Sequence, residues 1–231
     1  MRALDLFCGG GGAAAGLMDA GYEVHGIDID PRHSDYYPGA SFRDMDALEI
    51  CEDELASYDL VWASPPCQRW SRSTPIKDHH PDLIRTLRTM LSGTDQWVIE
   101  NVPLAPIMPD IRLTGPMVGL PRIERLRHFE VSDWIRERLL MAWDQPPLIV
   151  PPAESWRSGR MCTITSSLSS LSHYYPRKRA GLPGRVPVSE AAKVMGIRHR
   201  MTTKQIGEAV PPPYAAEVAR IISIARDREY G

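Results

Sequence analysis

The sequence predicts an α/β fold with an open sheet, and three stretches carry that prediction. Arg2 to Phe7 is a short apolar strand that runs into Cys8, then four glycines, Gly9 to Gly12, then an alanine-rich helix. Tyr22 to Ile27 alternates as a second strand and ends on Asp28, Ile29 and Asp30, about twenty positions past the glycines. Tyr58 to Ala63 is apolar enough to lie inside a sheet, and Pro65 and Pro66 then stop it, because proline cannot donate to a ladder. Open α/β sheets bind ligands at the carboxyl ends of their strands. The glycine turn, Asp28 and Cys67 all fall at such ends.

Each element has a physical reading. Consecutive glycines open backbone torsions closed to other residues, and the helix that follows offers free N–H donors; a plain tight crossover would use the same residues. Asp28 can accept from ribose hydroxyls and Ile29 can lie on an adenine face, against the alternative of a solvated turn at Asp30 and Pro31. Ser41 to Asp46 reads as a third short strand, with Asp44 and Met45 at its tip, toward the adenine edge. After Cys67, the polar run Gln68 to His79 reads as a lid loop. Asp82 to Leu91 has helical spacing, and Gln96 to Val102 is a fifth strand that carries Glu100 out at its end. Strands four and five of such a sheet end side by side, so Glu100 is expected to face Cys67.

From Arg112 the pattern is irregular until a strand-like end that alternates Arg125 and Arg127 onto one face. Trp134 to Trp143, Ser189 to Gly196 and Tyr214 to Arg226 read as helices, the last behind the proline stop Pro211 to Pro213. Residues 153–184, rich in Ser, Arg and Thr behind prolines at Pro146 and Pro151, read as a surface insert or a polyanion reader.

Composition bounds the answer. A chain of 231 residues with 43% hydrophobic content can bury the core of one domain plus a small insert. It has no apolar run of membrane length, and it opens directly into a strand, so a soluble, cytoplasmic protein is expected. Cys8, Cys51, Cys67 and Cys162 stand far apart without metal-ligand spacing, which argues against a structural zinc or a disulfide framework. The net charge of −2 hides an asymmetry: residues 1–111 carry 8 Lys and Arg against 18 Asp and Glu, and residues 112–204 carry 16 against 7. A basic half suits a protein that lays one face on a polyanion, although a solvated surface has the same composition.

With DLFCGGGG, GIDID, SPPCQRWS, ENV and RLRHFEV in this order, the chain resembles the DNA (cytosine-5)-methyltransferases, of a compact bacterial or phage type. EAAKVMGI and QIGEAVPPPYAAEVARII resemble that family's two closing motifs. The resemblance implies a mostly parallel seven-stranded, Rossmann-like sheet flanked by helices, with S-adenosylmethionine at the glycine turn. It implies Phe7, Gly9, Gly11, Asp28, Ile29, Asp44, Met45, Pro65 and Glu208 around the cofactor. Cys67 is then the nucleophile, Glu100 its acidic partner, and Arg125 and Arg127 the paired arginines near the target base, with Pro66, Gln68, Ser71 and Asn101 beside them. Arg160, Arg177 and Arg179 fall in the implied recognition insert, 132–188, between a catalytic part, 1–131, and a closing part, 189–231. Double-stranded DNA is the expected partner of a monomeric enzyme, with neither a membrane nor a metal involved; a cognate restriction nuclease is compatible with a modification system. RNA as the methylated polymer, or an idle DNA-binding scaffold, are the competing readings.

Two positions depart from the family pattern. Ile123 stands where the arginine motif usually opens with glutamine, and Glu208 stands where the last motif usually has asparagine. A carboxylate at Glu208 either meets the positive charge of the cofactor or points to solvent.

Overall fold

The computed structural model describes residues 1–71, 74, 76, 78–121, 123, 125–142 and 187–227. Its centre is a sheet of seven strands: β1 (Arg2–Leu6), β2 (Glu23–Asp28), β3 (Ser41–Asp44), β4 (Leu60–Ala63), β5 (Trp97–Asn101), β6 (Ile111–Leu113) and β7 (Arg127–Val131). They lie in the order β3-β2-β1-β4-β5-β7-β6. The pairings from β3 through β5 are parallel, and β7 runs antiparallel to both of its neighbours. From β1 the chain steps outward to β2 and β3, then crosses back to β4 on the other side of β1. That reversal leaves a crevice above the carboxyl ends of β1 and β4.

Side chains of a strand alternate between the two faces, and here the sequence fills both. Ala3, Val24, Leu60, Trp62 and Val98 face one core, shared with helices α1 (Gly12–Asp19), α4 (Asp133–Ala142) and α7 (Pro212–Asp227). Leu4, Leu6, Ile27, Val61, Ala63 and Ile99 face the other, which α2 (Glu52–Ala56) and α3 (Ile84–Leu91) cover with Leu55, Ile84, Leu87 and Leu91. A smaller cluster joins Ile123 to α5 (Val188–Val194) and α6 (Thr203–Glu208) through Ala191, Met195 and Ile206.

The carboxyl-terminal segment completes the crevice because α1 has no side chains in its way. A Cβ on Gly12 would strike the Val210 carbonyl, and one on Gly16 the Pro212 carbonyl. The far end of α7 is fastened by Arg226, which donates to Gln96 Oε1 at 2.5 Å, to the Tyr22 hydroxyl at 2.8 Å and to the Asp59 carbonyl at 2.8 Å. Glu208, Ala209 and Val210 therefore reach the same cleft as the glycine turn.

The differences from the sequence reading have local causes. β3 ends at Asp44, because Asp46 caps a short 3-10 turn, Ala47–Glu49, by accepting from Leu48 N–H at 2.9 Å. β6 and α6 span three and six residues, too short for a periodic pattern to stand out. Ile135 and Leu139 of α4 lie in the main core. No helix among the described residues is long and apolar enough to cross a membrane, and no His, Cys, Asp or Glu cluster there could hold a metal.

Candidate active site

The cleft above β1 and β4 encloses about 1020 Å³ out to its open mouth. One end is built by the glycine turn. Phe7, at φ 58°, and Gly9, at φ 51°, turn the chain sharply off β1 in the left-handed region; for a phenylalanine that costs about 1–2 kcal/mol. The turn is held from β2: Asp28 Oδ2 accepts from Gly9 N–H at 2.8 Å, and Oδ1 accepts from Asp30 N–H at 2.9 Å. Each oxygen keeps a lone pair for a ligand.

S-adenosylmethionine fits this end. A Cβ added to Gly9 would meet nothing within 4 Å, so the backbone there is open to a ligand. Ile29 presents an apolar face that is 69% exposed beside Asp28. Gly11 does not line the cleft: at φ 79° it caps α1, and a Cβ there would strike Pro38. Asp46 and Ala47 line the cleft next to β3, whereas Asp44 is exposed outside it and Met45 packs against the core.

The other end carries the reactive groups. Pro65 and Pro66 take the chain out of β4, and Cys67 follows, partly exposed and free, at the start of a turn in which its carbonyl accepts from Trp70 and Ser71 N–H at 3.0 and 2.8 Å. Asn101 does not line the cleft. It is buried and donates Nδ2 to the Pro65 carbonyl at 3.1 Å, which fixes the proline loop that aims Cys67. Gln68 lines the cleft with a buried Oε1 that has no partner among the described residues. Ser71 joins the turn through its backbone. Residues 72, 73, 75 and 77 of the lid reading lie outside the described residues, as do Arg160, Arg177, Arg179 and Cys162.

Glu100, 5% exposed, faces the cleft from β5, and Arg127 Nε lies 2.6 Å from its Oε1. Burial pushes the Glu100 carboxyl up, with Arg127, Arg125 and a hydrogen bond from Ser64 pulling the other way. Arg125 is buried just behind, donating to the Gly207 carbonyl at 2.8 Å, while its own carbonyl accepts from Tyr214 O–H at 2.7 Å. Burial, then the charge of Arg127, brings its guanidinium down to about 9, with Cys67 and Glu100 opposing. Cys67, Glu100, Arg125 and Arg127 thus form one electrostatic unit.

Four cleft residues were not singled out in the sequence. Ser64 sits in register opposite Glu100, one step past the Ala63 and Ile99 pair, and accepts from Trp62 Nε1–H at 2.8 Å, so its own proton is free for the carboxylate. The register was the signal that reading single strands omits. His33 and Gln205 close the side of the glycine end. Asp5 is the fourth: it lies wholly buried at the cleft floor, with no well-formed hydrogen bond to either oxygen among the described residues.

Desolvation, then the charge of Asp28, holds the Asp5 carboxyl well above the usual range, against a weaker pull from Ala14 N–H. A raised folded value makes native stability fall as pH rises from the unfolded value through the folded one. Asp5→Asn removes that fall, so urea midpoints will show the variant gaining on the parent between pH 5 and pH 8. A gap that does not change with pH would contradict the burial of a protonated Asp5.

Residues 1–95 match the model of the C-5 cytosine-specific DNA methylases. Over that segment, less than half of the chain, the sequence is similar to the C-5 cytosine-specific DNA methylases. The segment contains the glycine turn, Asp28 and Cys67, the two ends of the cleft. Among solved structures, the chain resembles a protein described as a DNA modification methyltransferase encoded in an Escherichia coli prophage, at 16% identity and a TM-score of 0.65, over 98% of this chain and 99% of that one. It also resembles DNMT2 of Spodoptera frugiperda, at 14% identity and a TM-score of 0.63, over 96% and 99%. Dnmt2 of Schizosaccharomyces pombe is similar at 15% identity and a TM-score of 0.61, over the full length of both chains. At these identities the likeness is one of fold, the seven-stranded methyltransferase sheet. No curated protein is significantly similar to the chain in sequence.

Proposed function

We propose that this protein methylates carbon 5 of cytosine in double-stranded DNA, with S-adenosylmethionine as donor and a covalent Cys67 adduct as intermediate. The observation that supports it is the convergence of Cys67 with the buried Glu100–Arg127 pair in one cleft, whose other end is an open glycine turn beside Asp28. Carbon 5 is a poor nucleophile while its ring is aromatic. Addition of the Cys67 thiolate to carbon 6 forms a C–S bond, and the displaced π electrons run toward N3. Glu100, whose carboxyl burial keeps protonated to higher pH, donates a proton at N3 and recognises the exocyclic amino group. Arg127 meets the oxygen at carbon 2 and, between turnovers, balances Glu100.

The donor, when bound, supplies a methyl cation equivalent to carbon 5. A base then takes the carbon 5 proton, Cys67 leaves as thiolate, and N3 returns its proton to Glu100, so the enzyme is restored. The cleft reaches a base only when it is out of its stack, at a cost of about a few kcal/mol. The basic excess of residues 112–204 suits a phosphate backbone; recognition by Arg160, Arg177 and Arg179 in the insert belongs to this reading.

Glu208 enters as a cofactor contact. It ends α6 on the exposed rim of the cleft, and partial desolvation pushes its carboxyl up, against Lys204, His33 and Arg125, with Asp28 adding to the rise. A bound cation draws the proton off such a group. Glu208→Gln should weaken S-adenosylmethionine about 5-fold and narrow the preference over an analogue with an added carboxylate. Calorimetric titration of both ligands is the check, and unchanged affinities would remove Glu208 from the site.

The overall reading is tested by transfer of labelled methyl to unmethylated DNA and, in parallel, to transfer RNA, with nucleoside analysis. Label in 5-methylcytosine from DNA supports it. Label in RNA alone changes the polymer and keeps the chemistry; no label in either, with donor bound, makes the chain an idle scaffold.

A further inference from the structure

Gln205 is only 5% exposed, and its amide can have one orientation. Its Oε1 accepts from Thr202 N–H at 2.8 Å, and Thr202 Oγ1 accepts from Gln205 N–H at 3.3 Å, a reciprocal cap on α6. An N–H can be met only by the oxygen end of the amide, so Nε2 is the end that points across the cleft. There it meets His33 Nδ1 at 2.7 Å. Nε2 is a donor, so Nδ1 must be the acceptor, and the imidazole carries its single proton on its own Nε2.

This one bond joins the two halves of the cleft wall. His33 stands on the 3-10 turn Pro31–His33, which leaves the end of β2 just past Asp28 and Ile29; Gln205 stands on α6, which carries Glu208. Both residues line the cleft. We propose that His33 and Gln205 form a clasp across the cofactor cleft, which slows escape of bound cofactor and releases when His33 takes a second proton. The proposal rests on the cofactor reading above. Protonated Nδ1 would oppose one donor to another, and Gln205 could turn its oxygen to it only by abandoning Thr202.

The charges around His33 come from three elements. Asp30 Oδ2, on its own turn, lies 3.9 Å from Nε2 and is held ionised by Arg32 at 2.6 Å. Glu208 of α6 is coupled to His33, with Lys204 and Asp28 acting on the same carboxyl. These carboxylates and cations face the imidazole from its own turn, from α6 and from the end of β2.

Dissociation of S-adenosylmethionine, followed by rapid displacement, reads the clasp. In the unaltered protein the rate should rise about 5- to 10-fold from pH 8 to pH 5.5, a rise that depends on His33. His33→Asn places an amide oxygen where Nδ1 stood and cannot titrate, so its rate should stay slow and flat over that range; His33→Ala should be fast throughout. A flat profile for the unaltered protein, or a step that survives in His33→Asn, would overturn the proposal. Nitrogen-15 NMR of the ligand-free protein reads the bond by itself: the Nε2–H tautomer is expected, and the Nδ1–H tautomer would overturn it. Absence of binding at every pH would remove the cofactor reading instead.

Discussion

Cys67→Ala will abolish methyl transfer while leaving S-adenosylmethionine bound within ~2-fold of the parent affinity. Among the described cleft residues Cys67 is the partly exposed thiol: Cys8 is buried, its thiol pushed up by burial and then by Asp5 and Asp28, Glu100 is buried against Arg127, and the Ser64 hydroxyl is engaged by Trp62. Without the addition carbon 5 stays aromatic and receives nothing. The donor end of the cleft is built by Gly9, Asp28 and Ile29, none of which depends on Cys67. Loss of donor binding in parallel with activity would mean that Cys67 supports the cleft rather than the chemistry. Retained turnover would remove the covalent mechanism.

The second large effect belongs to Arg127. Arg127 is 7% exposed and its Nε lies 2.6 Å from the carboxylate of Glu100, which is 5% exposed, so Arg127→Ala leaves Glu100 buried without its nearest cation. Breaking one side of such a pair costs about 3–5 kcal/mol. The cost depends on pH with a definite sign. Glu100 already has a raised carboxyl value, and loss of Arg127 raises it further, so the penalty is full at high pH and fades as pH falls through the folded value toward the unfolded one. Urea unfolding at pH 8 and pH 5 should show a large gap at the first and a small one at the second. Equal gaps would mean that Arg127 acts by packing alone. Glu100→Gln, which keeps the shape and drops the charge, should cost much less stability and still lower turnover about 10²- to 10⁴-fold.

Most of the sheet was legible because strands near five residues with apolar faces leave a pattern. Leu60 to Ala63 is buried on both faces and reads as an unbroken apolar run, whereas Glu23 to Asp28 alternates. The positions of Cys67 and Glu100 followed from where those strands stop. The contributions that arise between elements were not legible. Asn101 reads as one more polar residue beside Glu100, yet its amide faces the other side of β5 and holds Pro65. Ser64 acquires a role only through its register opposite Glu100, and Asp44 loses its expected place because Asp46 caps a turn and takes the cleft. His33 and Gln205, 172 positions apart, meet only because Gly12 and Gly16 let the closing segment lie against α1.

The central claim is a bond between Cys67 and carbon 6 of cytosine, and it can be caught. Duplex DNA of random sequence with 5-fluorocytosine in place of cytosine offers no carbon 5 proton to the final base, so the adduct formed after methyl transfer cannot eliminate. Incubation with S-adenosylmethionine followed by denaturing electrophoresis should show a protein–DNA species that survives denaturation, needs the donor, and is absent with Cys67→Ala. Peptide mapping should then locate the nucleotide on Cys67. Methylation of ordinary DNA with no trapped species on the fluorinated duplex, or a trapped species that persists in Cys67→Ala, would contradict the account.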